Sequence, residues 1–274
     1  MKKLLIPILF VFCFTGCEEP DEVFVNSPLM SCYARYLDFE DNHLFGDAGI
    51  VYPPSDSGMN QIAFHYDENR IVRVTGGFDF VPGGTNFIEG LMFKREIYDS
   101  IVHRGNTAYV FTRPERQYHF TNDQPENPII YETDDSGCLK KVTRRSGIEF
   151  YYAWKDNAIV EMTRDEETIR TFYMADGNLL RVETMITRDN GEPWQMKEMV
   201  FTGYDKAPNP LKNKYHILGA FYRAFSRNNY TQLTTHQYLW ENGAWEWQNS
   251  YSREVPMQYN DQGQPLLGEY ANIL

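Results

Sequence analysis

The residues of this chain best able to do chemistry are six histidines, at positions 43, 65, 103, 119, 216 and 236, and 38 carboxylates. No histidine stands in an HExxH or a paired Cys/His spacing, so no metal site is legible. There is no GxSxG elbow and no P-loop, and the glycine-rich run Gly76–Gly90 lacks the Lys-Ser/Thr and helix of a phosphate cradle. Two carboxylates could flank a glycosidic bond. Yet Asp67, Asp134, Asp156, Asp176 and Asp261 all stand at hairpin turns, where aspartate is favoured for backbone reasons. Asp134-Asp135-Ser136-Gly137 has too few oxygen ligands in sequence for a calcium loop. The expectation is no catalytic residue, no metal and no cofactor.

Binding chemistry is better represented. Phe150, Tyr152 and Trp154 alternate, which sets three flat rings on one face of a strand. On the register derived below that face is the outer one, so these three residues are either the candidate ligand-binding patch, suited to stacking sugar rings, or a second core covered by the helix or the N-terminal segment. A second aromatic set flanks Asn242-Gly243, the strongest short hairpin signal in the chain. There Trp240 should pair with Trp245 and Tyr238 with Trp247. Because Leu239, Glu241, Ala244 and Glu246 make the opposite face the polar one, this aromatic face is expected to be buried.

The elements that must position these residues are strands. From Ile129 to Glu183, turn-prone pairs recur every ten residues, at Ser136-Gly137, Ser146-Gly147, Asp156-Asn157, Glu166-Glu167 and Asp176-Gly177. Ten residues make one strand of eight and a two-residue turn, so the segment reads as an up-and-down meander of hairpins. Two-residue turns fix the register. One face then carries Tyr131, Val142, Tyr151, Met162, Thr171 and Val182, followed by Thr133, Lys140, Ala153, Val160, Tyr173 and Leu180. Being mostly apolar, it is the expected core, with Val142, Tyr151, Val160, Met162, Leu180 and Val182 buried together. Lys141, Glu161 and Arg181 are expected to reach solvent on the other face, where Glu132 pairs with Lys141.

Residues 1–16 have the form of a targeting segment: Lys2 and Lys3, then the short apolar run Leu4–Phe14, which is too short to span a bilayer. The run ends in Phe14-Thr15-Gly16-Cys17, which resembles the lipobox of bacterial lipoproteins and implies diacylation of Cys17. The acidic Glu18-Glu19-Pro20-Asp21-Glu22 that follows resembles the surface-export signal of Bacteroidota lipoproteins. An outer-membrane lipoprotein exposed at the surface is therefore expected, attached to the membrane through its N-terminal lipid. Loss of residues 1–16 leaves a net charge of about −14, against −12 for the whole chain. With no basic cluster, that charge argues against nucleic acid and anionic lipid as partners. Cys32 and Cys138 are candidates for a disulfide in an oxidising compartment, and the sequence leaves their pairing open.

The expected organisation is a signal peptide over 1–16, a lipidated tether over 17–35 and a single all-β domain over 36–274. Its antiparallel hairpins would form a large curved sheet or closed barrel. Ser31–Phe39 is a further strand candidate. One short helix is predicted at about 213–225, where Ile217, Leu218, Ala220, Phe221, Ala224 and Phe225 fit a helical face.

Three stretches carry a family resemblance. Phe64-His65-Tyr66-Asp67 through Val74, and Gln258-Tyr259-Asn260-Asp261-Gln262-Gly263-Gln264-Pro265, resemble YD-type hairpin repeats. Tyr204-Asp205 with Asn209-Pro210, followed by Ser226-Arg227-Asn228-Asn229, resembles a pattern of Bacteroidota lipoproteins of unknown function with a porin-like β fold. The resemblance runs from about Gln61 to Tyr270 and implies fold and location but no activity. Asp99-Ser100-Ile101 resembles the O-glycosylation motif of exported Bacteroidota proteins. The function expected is a lipid-anchored envelope protein that binds glycan or another envelope protein. The alternatives are a carrier with a cavity for acyl chains, and an enzyme of unrecognised type.

Overall fold

The computed structural model describes residues 28–33, 36–37, 60–83, 87–113, 126–188, 190–217, 219–255, 257–261 and 263–268. Among them are fourteen strands. They are β1 (Ser31–Tyr33), β2 (Gln61–Asp67), β3 (Arg70–Gly83), β4 (Phe87–Arg104), β5 (Thr107–Arg113), β6 (Ile129–Thr133) and β7 (Leu139–Thr143). Then come β8 (Glu149–Lys155), β9 (Ala158–Met162), β10 (Thr168–Ala175), β11 (Asn178–Thr187), β12 (Pro193–Thr202), β13 (Gln232–Glu241) and β14 (Ala244–Glu254). Every strand pairs antiparallel with the next, giving one sheet in the order of the chain with β1 and β14 as its two edges. The fold is thus the expected all-β, up-and-down sheet, and it is open. It begins at Ser31, ahead of residue 36. Cys32 is buried and keeps its thiol, whose Sγ donates to Tyr33 O at 3.5 Å, so it does not pair with Cys138.

Two kinds of turn join the strands, and the difference decides which side chains are inside. Glu68-Asn69, Gly105-Asn106, Asp156-Asn157, Asp176-Gly177 and Asn242-Gly243 are two-residue turns whose first residue has positive φ. At Asp134–Cys138, Arg144–Ile148 and Thr163–Glu167 the loop has three residues. The third of them takes positive φ: Gly137 at 80°, Gly147 at 84° and Glu166 at 63°. Arg144 N–H bonds Ile148 O at 2.8 Å, and Gly147 N–H bonds Arg144 O at 2.9 Å, closing one such loop.

The extra residue at Ser146 moves the β7–β8 register by one, so Val142 faces Phe150 and not Tyr151. A one-residue slip exchanges the faces of everything beyond it. Phe150, Tyr152, Ile159, Glu161 and Phe172 therefore point inward and are buried, whereas Tyr151, Val160 and Met162 are only half-buried on the outer face. A bulge between Tyr173 and Met174 reverses the exchange, setting Phe172 opposite Val182. Val142 and Val182 are consequently buried as expected, while Leu180 is 40% exposed. Of the three charges expected in solvent, Lys141 and Arg181 lie on the outer face. Lys141 Nζ stands 2.7 Å from Glu132 Oε1 and 3.3 Å from Glu149 Oε1. Glu161 is 1% exposed.

The long connection Gly203–Thr231 between β12 and β13 closes over the inner face. Leu211, Tyr215, Ile217, Phe221, Tyr222, Phe225 and Tyr230 are all buried in it. Phe225 packs on Phe172 and Tyr215, each at 4.9 Å between ring centres, and Phe201 packs on Tyr230 at 4.9 Å. Asn209 staples this segment to itself: its Nδ2 donates to Arg223 O (2.7 Å) and Ser226 O (2.9 Å), and its Oδ1 accepts from Leu211 N (2.9 Å).

The helix predicted at about 213–225 is not formed. Asn213 and Gly219 take positive φ, 60° and 77°, which interrupts any helical run. Only Arg223–Phe225 make a 3₁₀ turn. The apolar residues there are buried on all sides between sheet and loop, so they need no single helical face.

Arg223 is fully buried. Its Nε donates to Tyr36 O at 2.5 Å, and its guanidinium lies 3.8 Å from the centre of the Tyr230 ring. Beside β1, the stretch Pro265–Gly268 runs close enough for Tyr33 N–H to bond Leu267 O at 2.8 Å. A Cβ on Gly268 would stand 1.8 Å from Ser31 O, so only glycine fits there.

Candidate functional site

The patch expected at Phe150, Tyr152 and Trp154 lies on the inner face, as a consequence of the β7–β8 slip. Phe150 and Tyr152 are 7% and 4% exposed. Tyr152 OH donates to Glu161 Oε2 at 2.8 Å, and Arg170 Nη1 stands 3.9 Å from the same oxygen. Burial, together with the Glu161 carboxylate, holds the Tyr152 phenol well above the usual tyrosine range. Trp154 donates its Nε1–H to Leu139 O at 2.8 Å and tilts against Phe225, 6.2 Å between ring centres. Phe150 and Tyr152 are core and Trp154 is half-buried against it, with Tyr152 and Trp154 meeting Phe221 and Phe225 of the β12–β13 connection. Cys17 lies outside the described residues.

Asp99-Ser100-Ile101 falls in β4, with Asp99 and Ile101 buried. Asp99 Oδ1 accepts from Thr112 Oγ1 at 2.6 Å, and Arg145 donates to that hydroxyl. Burial raises the Asp99 pKa, against the lowering effects of Thr112 and Arg145.

The aromatic surface of this protein is on the other side of the sheet, toward β14. Register places Met185 beside Met196, Met196 beside Tyr238, and Tyr238 beside Trp247, which makes a row across four strands. One step further along, Trp240 faces Trp245, and Trp194 lies in the same row because Gln195 pairs with Leu239. The pairings expected around Asn242-Gly243 are thus present, but the face they form is open. Trp247 is 60% exposed, Met185 46% and Trp194 44%. Trp240 and Trp245 meet edge to face at 5.0 Å and hold each other's orientation.

The face is open because the 203–231 connection covers the opposite, inner face of the sheet. At the tip of the β13–β14 hairpin the inner face is wet as well, with Gln237, Glu241, Ala244 and Glu246 exposed on it. The sequence signal was the polar opposite face. It identified the aromatic side correctly but cannot tell a buried face from the better of two wet ones.

A polar cluster borders the aromatic rows. Arg181 bridges two carboxylates, with Nη2 3.2 Å from Glu183 Oε1 and Nη1 3.2 Å from Glu198 Oε1. Its guanidinium also stacks 4.1 Å from the centre of the Tyr173 ring. Tyr173 OH donates to Glu183 Oε2 at 2.7 Å, and Tyr238 OH to Glu198 Oε2 at 3.3 Å. Burial and the neighbouring carboxylates hold both phenols above their ordinary range, so each is a neutral donor at physiological pH. The arrangement offers flat rings for stacking and, alongside them, fixed hydrogen-bonding groups for orientation. No cluster of three or more His, Cys, Asp or Glu able to hold a metal occurs among the described residues.

No family model matches the chain, and no curated protein matches it. Among solved structures it is similar to a porin-like protein from Bacteroides uniformis, with 11% identity and a TM-score of 0.37, covering 70% of this chain and 87% of that one. It is also similar to a porin-like protein from Bacteroides vulgatus, with 10% identity and a TM-score of 0.40, covering 75% of this chain and 84% of that one.

Proposed function

We propose that this protein is a lipid-anchored binding protein of the cell envelope whose ligand is a glycan taken on the aromatic face of β11–β14. The observation that carries the reading is the row Trp194, Trp240, Trp245, with Trp247 next to it. Trp194 and Trp247 are large rings left in solvent, where burial would have been worth about 1.5–3 kcal/mol for each large side chain, and Trp240 and Trp245 are half-buried beside them. Contiguous exposed apolar surface of this kind marks interaction sites, and tryptophan and tyrosine dominate their energetics. The C–H faces of sugar rings match flat indoles, while Glu183, Glu198, Tyr173 and Tyr238 can take up their hydroxyls. The acidic charge of the chain favours a neutral glycan over an anionic lipid surface. Anchorage through Cys17 at the outer membrane would hold the sheet at the cell boundary, where such chains are met.

The test is a titration of intrinsic tryptophan fluorescence with neutral oligosaccharides, backed by a glycan array on the mature chain. Trp247→Ala should weaken binding by about thirtyfold, the equivalent of about 2 kcal/mol for a hot-spot tryptophan. Binding that survives in a Trp194→Ala/Trp247→Ala double variant would sink the assignment of this face. Failure of every neutral glycan to bind would sink the ligand class.

A further inference from the structure

A second site, independent of the aromatic face, lies at one end of the sheet. The tips of the β2–β3 and β4–β5 hairpins and residues 212–216 of the β12–β13 connection enclose a cavity of about 240 Å³. Its charged and titratable lining is Arg70, Lys212, Lys214, His103 and His216, with the amide side chains of Asn69, Asn106 and Asn213 between them. No carboxylate is among its described lining residues. In a chain of net charge −12 this is a local reversal of sign.

Of the two histidines, His216 is the one that keeps a ring nitrogen for a ligand. His103 Nε2 lies 2.8 Å from Ile71 O, and since a carbonyl only accepts, that nitrogen carries the hydrogen. His216 meets His103 edge to face, 5.5 Å between ring centres, and its own Nε2 is buried with no partner among the described residues. Burial, with Lys214 and His103 adding to it, holds His216 neutral, its pKa pushed down to about 3. Burial also lowers the pKa of Lys214. A buried, unpaired polar atom beside a desolvated ammonium is unfavourable alone and is offset when an anion fills the space. The planar fork of Arg70 and the point charge of Lys214 suit an oxyanion with several acceptor oxygens.

We propose that this cleft is an oxyanion-binding site that takes a phosphoryl group, with Lys214 and Arg70 supplying charge and His216 Nε2–H a directed donor. Phosphoryl is favoured over carboxylate because its second charge and third oxygen meet a lining that is cationic on more than one side. Free phosphate compounds and the phosphate of a lipid headgroup share this chemistry.

The experiment uses the mature chain and inorganic phosphate, followed by calorimetry and by thermal unfolding. Phosphate at about 10 mM should bind and raise Tm by about 2 °C. Lys214→Met should reduce affinity at least tenfold and abolish that rise, while leaving the ligand-free Tm unchanged or higher because a desolvated charge is removed. Arg188→Gln, on a remote loop, should behave as the parent. Vesicles containing phosphatidic acid form the second arm. Lys214-dependent vesicle binding that phosphate competes away would assign the group to a lipid, and its absence alongside phosphate binding would assign it to a soluble ligand. No response to either phosphate or vesicles overturns the proposal, and so does a full phosphate response in Lys214→Met. Acetate binding as tightly as phosphate overturns the phosphoryl assignment.

Discussion

Phe225→Ala tests whether the β12–β13 connection is structural or a removable cover. Phe225 is 4% exposed and touches four rings: Phe172 and Tyr215 at 4.9 Å, Phe221 at 5.2 Å and Trp154 at 6.2 Å between centres. Truncating a buried phenylalanine costs about 3–5 kcal/mol, from lost transfer energy and the cavity left behind. Each edge-to-face or tilted ring contact adds about 0.5–1.5 kcal/mol beyond area alone. The value should fall at the upper end of that range, because the cavity is walled by rings on both sheet and loop and cannot collapse easily. A loss of about 5 kcal/mol corresponds to a Tm lowered by roughly 10 to 20 °C in a chain of this size. Urea unfolding followed by circular dichroism measures it, and the fluorescence of Trp154, beside the lesion, reports whether the loop detaches first. Trp247→Ala is the matched control and should change stability by less than about 0.5 kcal/mol. A Phe225→Ala loss below about 1 kcal/mol would refute the view that the connection completes the core.

Three further outcomes are expected. Glu166 takes φ 63° at the loop position where Gly137 and Gly147 are glycines. Glu166→Gly should therefore stabilise by up to about 1 kcal/mol in denaturant melts, and a loss would show that the loop tolerates the strain without cost. The folded pKa of Asp99 is raised, so the folded chain keeps a proton that the unfolded chain releases above about 3.8. Stability from this group is present at low pH and lost as pH rises through the folded value, so Asp99→Asn should gain on the parent as pH rises above about 3.8. A difference independent of pH would count against the buried carboxylate as its cause. Cys17→Ala should release the protein from the membrane fraction, and retention there would refute lipid anchorage at that residue.

How much of this could be seen in the sequence depended on what kind of turn each Gly marks. Ser146-Gly147 and Asp176-Gly177 look alike as dipeptides, yet Gly147 is the third residue of a three-residue loop and Gly177 the second of two. The count differs by one, and one is enough to send Phe150, Tyr152 and Trp154 from the outer face to the core. The hairpin at Asn242-Gly243 kept its register because Asn-Gly is specific to the two-residue turn, so its cross-strand aromatic pairs were legible. Their exposure was not, since it depends on which of the two faces the distant 203–231 connection covers. The apolar run 217–225 read as a helical face because its spacing fits one. Positive φ at Gly219 and burial from both sides make that spacing incidental. The cleft of Arg70, His103, Lys214 and His216 left no trace as a motif, because its members come from three separate stretches.

The contact of Pro265–Gly268 with β1 bears on how the chain assembles as it is made. From β2 to β14 every strand pairs with its immediate predecessor, so the meander can grow hairpin by hairpin as it emerges. β1 is different. Besides β2, its residues lean on Leu267, and the segment just after it on Arg223 and Arg253, whose Nη1 donates to Leu37 O at 3.2 Å. β1, the first of the described strands to be synthesised, is thus secured only after β14, because the bond from Tyr33 N–H to Leu267 O cannot form until Leu267 has been made. That interval is when a nascent chain is most open to capture by a neighbour's strand, and it is the interval a folding helper would have to guard.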